Sequence, residues 1–260
     1  MEDTVASNGW TCVPVDAAKI FPGGRLREPE PLLVKDIDFP KDPLVDKIQR
    51  YAKDKLPWQT YNHSMRVFYF GEHSSNQYQT KGTVSLRRIG MAIVRQQFPE
   101  HAASFSPATL ALSALLHDIG VTPENISATH MSFEFYGAIK ALNLLQDLGG
   151  AKDQAEAVCE AIIRHQDLGT DGNITLLGQV IQLATIYDNV SSYPTMPGLE
   201  GIIHAETRED VIRAFPRTGW LGCFANVVRE EKRLKPWCHT THLPDFEKEV
   251  LGNELMKPYE

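Results

Sequence analysis

The amino-acid sequence predicts an all-α fold: a single helical bundle over residues 42–260, preceded by an irregular N-terminal arm over residues 1–41. Three observations predict it. Apolar residues recur at helical spacing from residue 42 onward, Asp-Pro and Ser-Pro pairs open two of those runs, and no stretch alternates with period 2 long enough to argue for a sheet. At 260 residues the chain is long enough to bury one substantial core.

The arm comes first. Pro14, Pro22, Gly23, Gly24, Pro29, Pro31 and Pro40 punctuate residues 1–41 too densely for long regular structure. It reads as a segment crossing the body of the domain, anchored by Trp10, Val13 and Phe21. Asp42-Pro43 then opens a helix carrying Leu44, Ile48 and Tyr51, and Leu56-Pro57 closes it. Asn62 is expected to cap a second helix with His63, Val67 and Phe70. A third runs over about 84–97, with Leu86, Ile89, Ile93 and Val94 apolar and Pro99 beyond its end. Ser106-Pro107 repeats the cap-plus-proline signal before an apolar run over residues 110–116. That run ends in His117-Asp118-Ile119-Gly120, with Gly120 expected as its C-terminal stop. Helical patterns follow at about 130–148, 153–166 and 174–190, parted by Gly149-Gly150 and by residues 169–173. Thr207 is expected to cap a further helix with Glu209 and Asp210 in its first turn, and helices over about 219–234 and 244–256 complete the bundle.

The formal charge of −7 argues against a nucleic-acid or anionic-membrane partner, since neutralising phosphates needs clustered Lys and Arg. No run approaches the roughly 18 apolar residues of a membrane span, and no secretory leader is visible. Cys12, Cys159, Cys223 and Cys238 are scattered, as in a reduced protein. A cytoplasmic setting and a small-molecule ligand are the expectations.

The informative feature for chemistry is His117-Asp118, at the end of a run that reads as buried on every side. An ordinary polar helix terminus would also place His and Asp there. A nitrogen-plus-oxygen pair at the mouth of a core helix equally suits a divalent metal, which then needs further ligands from elsewhere. His63 and Asp188 are the candidates. Asp188 ends the nearly apolar run over residues 176–187, where a carboxylate is costly unless paired or metal-bound.

His63, His117-Asp118 and Asp188 follow the spaced H…HD…D order of the HD-domain metalloproteins. With their flanks (residues 61–67, 115–120 and 164–167) and Asn8-Gly9-Trp10 in the arm, the chain resembles the fungal cyanamide hydratases of that superfamily. The resemblance implies an all-helical HD domain, hydration of cyanamide to urea, a homo-oligomer, and Zn²⁺ on His63, His117, Asp118 and Asp188, although Fe²⁺ or Mn²⁺ would accept the same ligands. It places substrate contacts on His165 and Thr185. In the mechanism this implies, metal-bound hydroxide attacks the nitrile carbon while His165 and Thr185 hold the substrate nitrogens and relay a proton.

Thr185 and Asp188 are three apart on one helix, hence on one face, although Thr185 also suits a back-bond to a helix carbonyl. His165 suits a helix end as well as a site. Glu124 and His130 are further candidates for outer roles; His73 and His101 read as exposed, His204 is uninformative, and the pair His239 and His242 lacks a partner cluster. Two other functions remain open: an HD-type phosphohydrolase acting on a nucleotide, for which Arg66 and Arg164 are the nearby cations, and a non-enzymatic helical ligand sensor.

Overall fold

In a computed structural model of the chain, residues 2–16, 19, 27–71, 92–192 and 198–260 are described. The arm carries a short helix α1 (Glu2–Ser7) and a strand β1 (Cys12–Pro14). The body contains α2 (Pro43–Lys55), α3 (Trp58–Gly71), α4 (Ala92–Gln97), α5 (Pro107–Leu116), α6 (Pro123–Ser127), α7 (Phe133–Asp147) and α8 (Lys152–Arg164). A strand β2 (Asn173–Thr175) leads into α9 (Leu176–Asn189), followed by α10 (Ala205–Ala214), α11 (Trp220–Leu234) and α12 (Phe246–Leu251). Phe21, His73, Leu86 and Ile89, with the first part of the helix expected over 84–97, lie outside the described residues. None of the described helices is long and apolar enough to cross a membrane.

The capping chemistry explains where helices start. Asp42 Oδ1 accepts from the amides of Leu44 (2.8 Å) and Val45 (3.2 Å), and Ser106 Oγ accepts from Thr109 N at 3.3 Å. Two expected caps are corrected. α3 begins at Trp58, with Pro57 O accepting from Tyr61 N, so Asn62 lies inside the helix and its amide reaches Pro216 O at 3.1 Å. α10 is capped by His204, whose Nδ1 accepts from Glu206 N at 3.2 Å. Thr207 is one turn in, buried, and accepts from Leu32 N at 2.8 Å. Sequence shows that these residues are cap-competent; only the packing partner decides which one ends the helix.

At the centre lies α9, buried along its whole length, packed against α3, α5 and α8. α5 is buried from Thr109 to Leu116 and also packs on α2. A helix that is apolar nearly all round belongs inside, so these elements bring the ends of α5 and α9 together in the core.

The arm is tied to that core. β1 pairs antiparallel with β2, Cys12 opposite Thr175 and Pro14 opposite Asn173. This two-stranded sheet escaped the sequence reading because three-residue strands leave no measurable alternation. Thr11 O and Gly9 O accept from Leu176 N (2.7 Å) and Leu177 N (3.1 Å), so the arm satisfies the first donors of α9, which have no partners within the helix. Gly9 has φ +74°, and a β-carbon there would meet Phe105 at 2.6 Å and Leu177 at 2.8 Å. On either side of it, Asn8 Nδ2 and Trp10 Nε1 donate to Asp153 at 2.7 and 3.1 Å.

Gly120 serves a different purpose from the expected helix stop. α5 ends at Leu116, and residues 119–121 form a 3₁₀ turn packed on the start of α7. A β-carbon on Gly120 would lie 2.0 Å from Phe133 O, which is backbone and cannot swing aside. Gly120→Ala is therefore expected to cost about 2–3 kcal/mol of stability. Chemical denaturation checks it; an unchanged midpoint would mean that the turn can shift freely.

Candidate metal centre

His117 is the C-terminal cap of α5, with Asp118 next to it, while His63 stands in the second turn of α3. All three are buried, and their ligand atoms lie within 4.8 Å of one another. His117 Nδ1 is 2.8 Å from Ala114 O, which can only accept, so that nitrogen carries a proton and Nε2 of the neutral ring is the free donor atom for a metal. His63 Nδ1 donates to Asp188 Oδ2 at 2.6 Å, which also turns Nε2 inward. The two Nε2 atoms face each other at 3.1 Å. Asp118 Oδ2 sits 3.3 Å from His117 Nε2 and 3.7 Å from His63 Nε2, and it is buried with no hydrogen-bond partner. Two facing imidazole nitrogens beside an orphaned carboxylate oxygen are favourable when a proton or a metal ion stands between them. The donor set therefore fits a divalent ion with nitrogen and oxygen ligands.

Asp188 stands behind His63, outside this three-residue group. Oδ2 also accepts from Arg66 Nη2 at 2.8 Å, Oδ1 accepts from Arg66 Nε at 3.0 Å, and Arg217 Nη1 makes a short contact to Oδ1. Burial alone would push the Asp188 carboxyl up, but Arg217 and Arg66 outweigh it and hold it well below the usual range. Burial likewise works against ionised Asp118, yet His117 and His63 beside it keep its carboxyl low. Burial pulls His63 down to about 4, despite Asp188. His117 moves up, because Asp118 and the Ala114 carbonyl together overcome its burial.

His165 caps α8 with Nδ1 2.7 Å from Ile162 O, leaving Nε2 as an acceptor, and its ring meets His117 edge-on at 5.4 Å between centroids. Burial and the neighbouring His117 push it down, so it is neutral at pH 7. Thr185 is buried and donates to Gln182 O at 3.0 Å, so the back-bond is present and its oxygen remains an acceptor. Glu124 and His130 are exposed. Glu124 sits in the first turn of α6, which Thr122 caps, and His130 meets Trp237 at the surface.

Sequence reading missed Arg217 and Trp220. Trp220 stacks on His63 at 4.3 Å with 16° between planes, and its Nε1 donates to Asn189 Oδ1 at 2.9 Å. Neither residue carries a motif signal, since each acts across more than 25 residues of chain. Arg66 and Arg164, the cations considered for phosphate, are committed. Arg66 is shared between Asp188 and the carbonyls of Phe215 and Pro216, and Arg164 between Asp167 and Asn173 O.

The HD domain family model matches residues 60–190, a span that holds all six expected site residues. Over 247 residues the chain is 38% identical to cyanamide hydratase DDI2 of Saccharomyces cerevisiae, covering 94% of this chain and 96% of that protein; cyanamide hydratase DDI3 of the same yeast matches equally. The chain belongs to the cyanamide hydratase family of HD-domain proteins. The match covers 94% of this chain, more than the HD-domain span alone.

Asp188→Ala would leave the buried Arg66 without its carboxylate and Arg217 with Glu260 alone, and a loss of about 3–5 kcal/mol in unfolding free energy is expected. A variant unfolding at the same denaturant concentration as the parent would show that the arginines find other partners. The depressed carboxyls also set an acid limit. Asp118 and Asp188 have folded pKa values below their unfolded ones, so their contribution is complete above about pH 4 and is lost as pH falls further. Higher up, the two histidines act in separate windows: His63, lowered to about 4, costs stability as pH falls from about 6.5 towards 4, whereas His117, raised, loses its contribution as pH rises above about 6.5. Denaturation midpoints of metal-free protein should therefore fall from about pH 6.5 downwards and more steeply below about pH 4; a flat profile down to pH 3 would contradict the assignment.

Proposed function

We propose that this chain hydrates cyanamide to urea at a divalent ion held by His63, His117 and Asp118, with Zn²⁺ the first expectation. The observation that carries the reading is the pair of facing Nε2 atoms at 3.1 Å, each imidazole fixed from behind through Nδ1, beside the unpartnered Asp118 oxygen. The naming of two full-length relatives as cyanamide hydratases supplies the substrate. Fe²⁺ or Mn²⁺ would suit the same donors.

A bound divalent ion supplies Lewis acidity, which brings the pKa of water near 7. The protein's own groups do the rest. Asp188 holds His63 in one tautomer and one orientation, with Arg66 and Arg217 fixing the carboxylate in turn. Although sequence puts Asp188 among the ligands, both its oxygens are engaged by these partners, which suits an orienting role. Trp220 holds the His63 ring plane from one face.

Addition of oxygen to the nitrile carbon leaves nitrogen needing a proton. His165, neutral with Nε2 as acceptor, is the group to take that proton from water and return it to nitrogen. Thr185 Oγ1 donates to Gln182 O and so accepts an N–H from the substrate amino group. A substrate of three heavy atoms offers little remote binding energy, and a buried site compensates by excluding all but the reacting water.

A nucleotide phosphohydrolase needs free cations for phosphate oxygens, and the commitment of Arg66 and Arg164 counts against it. A ligand sensor would not need the facing imidazoles. A cytoplasmic setting and homo-oligomeric assembly complete the proposal; the four cysteines, all free thiols, suit a reducing compartment.

Purified protein is expected to release urea from cyanamide, to lose that activity on chelation and regain it with Zn²⁺, and to release no phosphate from nucleotides. Asp118→Ala should reduce turnover by roughly 100-fold or more. Full activity in a metal-free sample would sink the metal assignment, and phosphate release without urea would reassign the substrate.

A further inference from the structure

The segment after α12 folds back onto the carboxylate that holds His63. Asn253 is buried, with Nδ2 3.5 Å from Asp188 O, and its Oδ1 accepts from the amide of buried Met256 at 3.2 Å. A 3₁₀ turn over Lys257–Tyr259 then leads to Glu260. The Glu260 carboxylate makes two contacts. Oε1 accepts from Arg217 Nε at 3.2 Å, and Oε2 accepts from Leu221 N, in the first turn of α11, at 2.9 Å. It therefore joins the side chain that grips Asp188 to the helix whose Trp220 stacks on His63.

Two features of this cluster require a second anion. The first is charge. Arg66 and Arg217 are both buried and both face Asp188, so two cations share one enclosed carboxylate. Without a further anion the set would carry a net positive charge, separated only by the His63 ring from the place a divalent cation has to occupy. Repulsion between enclosed charges is weakly screened. The second feature is geometry. Arg217 Nη1 holds Asp188, while Nη2 is buried with no hydrogen-bond partner, so Nε on Glu260 is the other point of attachment. A planar guanidinium fixed at two nitrogens keeps its orientation, and one fixed at a single nitrogen can turn.

We infer that Glu260 is a positioning residue of the metal centre, holding Arg217 on Asp188 and cancelling the charge that would otherwise oppose the ion. The inference rests on the divalent-ion reading above. Glu260 acts at a distance, through Arg217, Asp188 and His63 in series.

Glu260→Gln keeps the size of the side chain and removes its charge. In competition with a chromophoric chelator, the dissociation constant of this variant for Zn²⁺ is expected to rise roughly 3–10-fold. That lies at the low end for an outer partner of a metal ligand, because the Glu260 side chain is 20% exposed and partly screened by solvent. Turnover of cyanamide should fall at limiting Zn²⁺ and return towards that of the parent at saturating Zn²⁺, with KM unchanged. Glu260→Asp, which restores the charge, should bind Zn²⁺ more tightly than Glu260→Gln. Lys232→Ala is the control, since it removes a comparably exposed ion pair to Glu247 further along α11 and should leave Zn²⁺ affinity unmoved. Parent-like Zn²⁺ affinity in Glu260→Gln, or an equal loss in Lys232→Ala, would overturn the inference. A parent protein that binds no divalent ion would instead overturn the metal reading, and tight Zn²⁺ binding without urea release would overturn the substrate reading alone.

Discussion

A carboxylate with no solvent contact, gripped by two arginines and a histidine, is the constraint around which this molecule is arranged. Asp188 belongs to α9, His63 and Arg66 to α3, and Arg217 to the connection before α11. Arg66 also reaches the carbonyls of Phe215 and Pro216, and Arg217 reaches Asp188 O and Glu260. Burying these charges is expensive, and well-packed apolar residues would stabilise the fold at least as well. What charges provide and methyl groups cannot is direction. The Asp188 carboxylate sets which nitrogen of His63 carries the proton, and with it the atom that meets His117.

The same logic makes the arm part of the site. α9 positions Thr185 and Asp188, and its first two amides are satisfied by arm carbonyls before Thr175 Oγ1 takes over at Gly178 N. Asn8 and Trp10 then fasten the arm to Asp153 on α8, the helix that ends in His165. An irregular segment with few helical residues thus contacts two helices that carry candidate functional side chains.

Burial also shapes which reactions fit. The cations near the motif are spent on internal anions and carbonyls, the site residues are enclosed, and His165 is kept neutral by its surroundings. Such a site suits a small uncharged electrophile that needs a water and a proton, and suits a phosphate poorly. Membership of the cyanamide hydratase family agrees with that chemistry.

From the sequence alone, what could be determined was local. The helix starts at Pro43 and Pro107 follow from the preceding Asp42 and Ser106, whose side chains accept from amides two or three residues on, and the buried run before His117-Asp118 follows from composition. The HD pair itself was legible because two adjacent polar residues end an otherwise apolar helix. What tertiary structure decided involves partners distant in the chain. Asn62 and Thr207 look like caps but face Pro216 and Leu32. Gly120 looks like a helix stop but yields space to Phe133. Asp188 reads as one ligand among four, and its contacts to His63 and Arg217 come only with the packed chain. Arg217 and Glu260, 43 residues apart, carry no motif at all. Capping and periodicity act within a turn or two and leave a trace in the order of residues. Burial, charge pairing and tautomer choice depend on which surfaces meet, and only the packed chain brings those surfaces together.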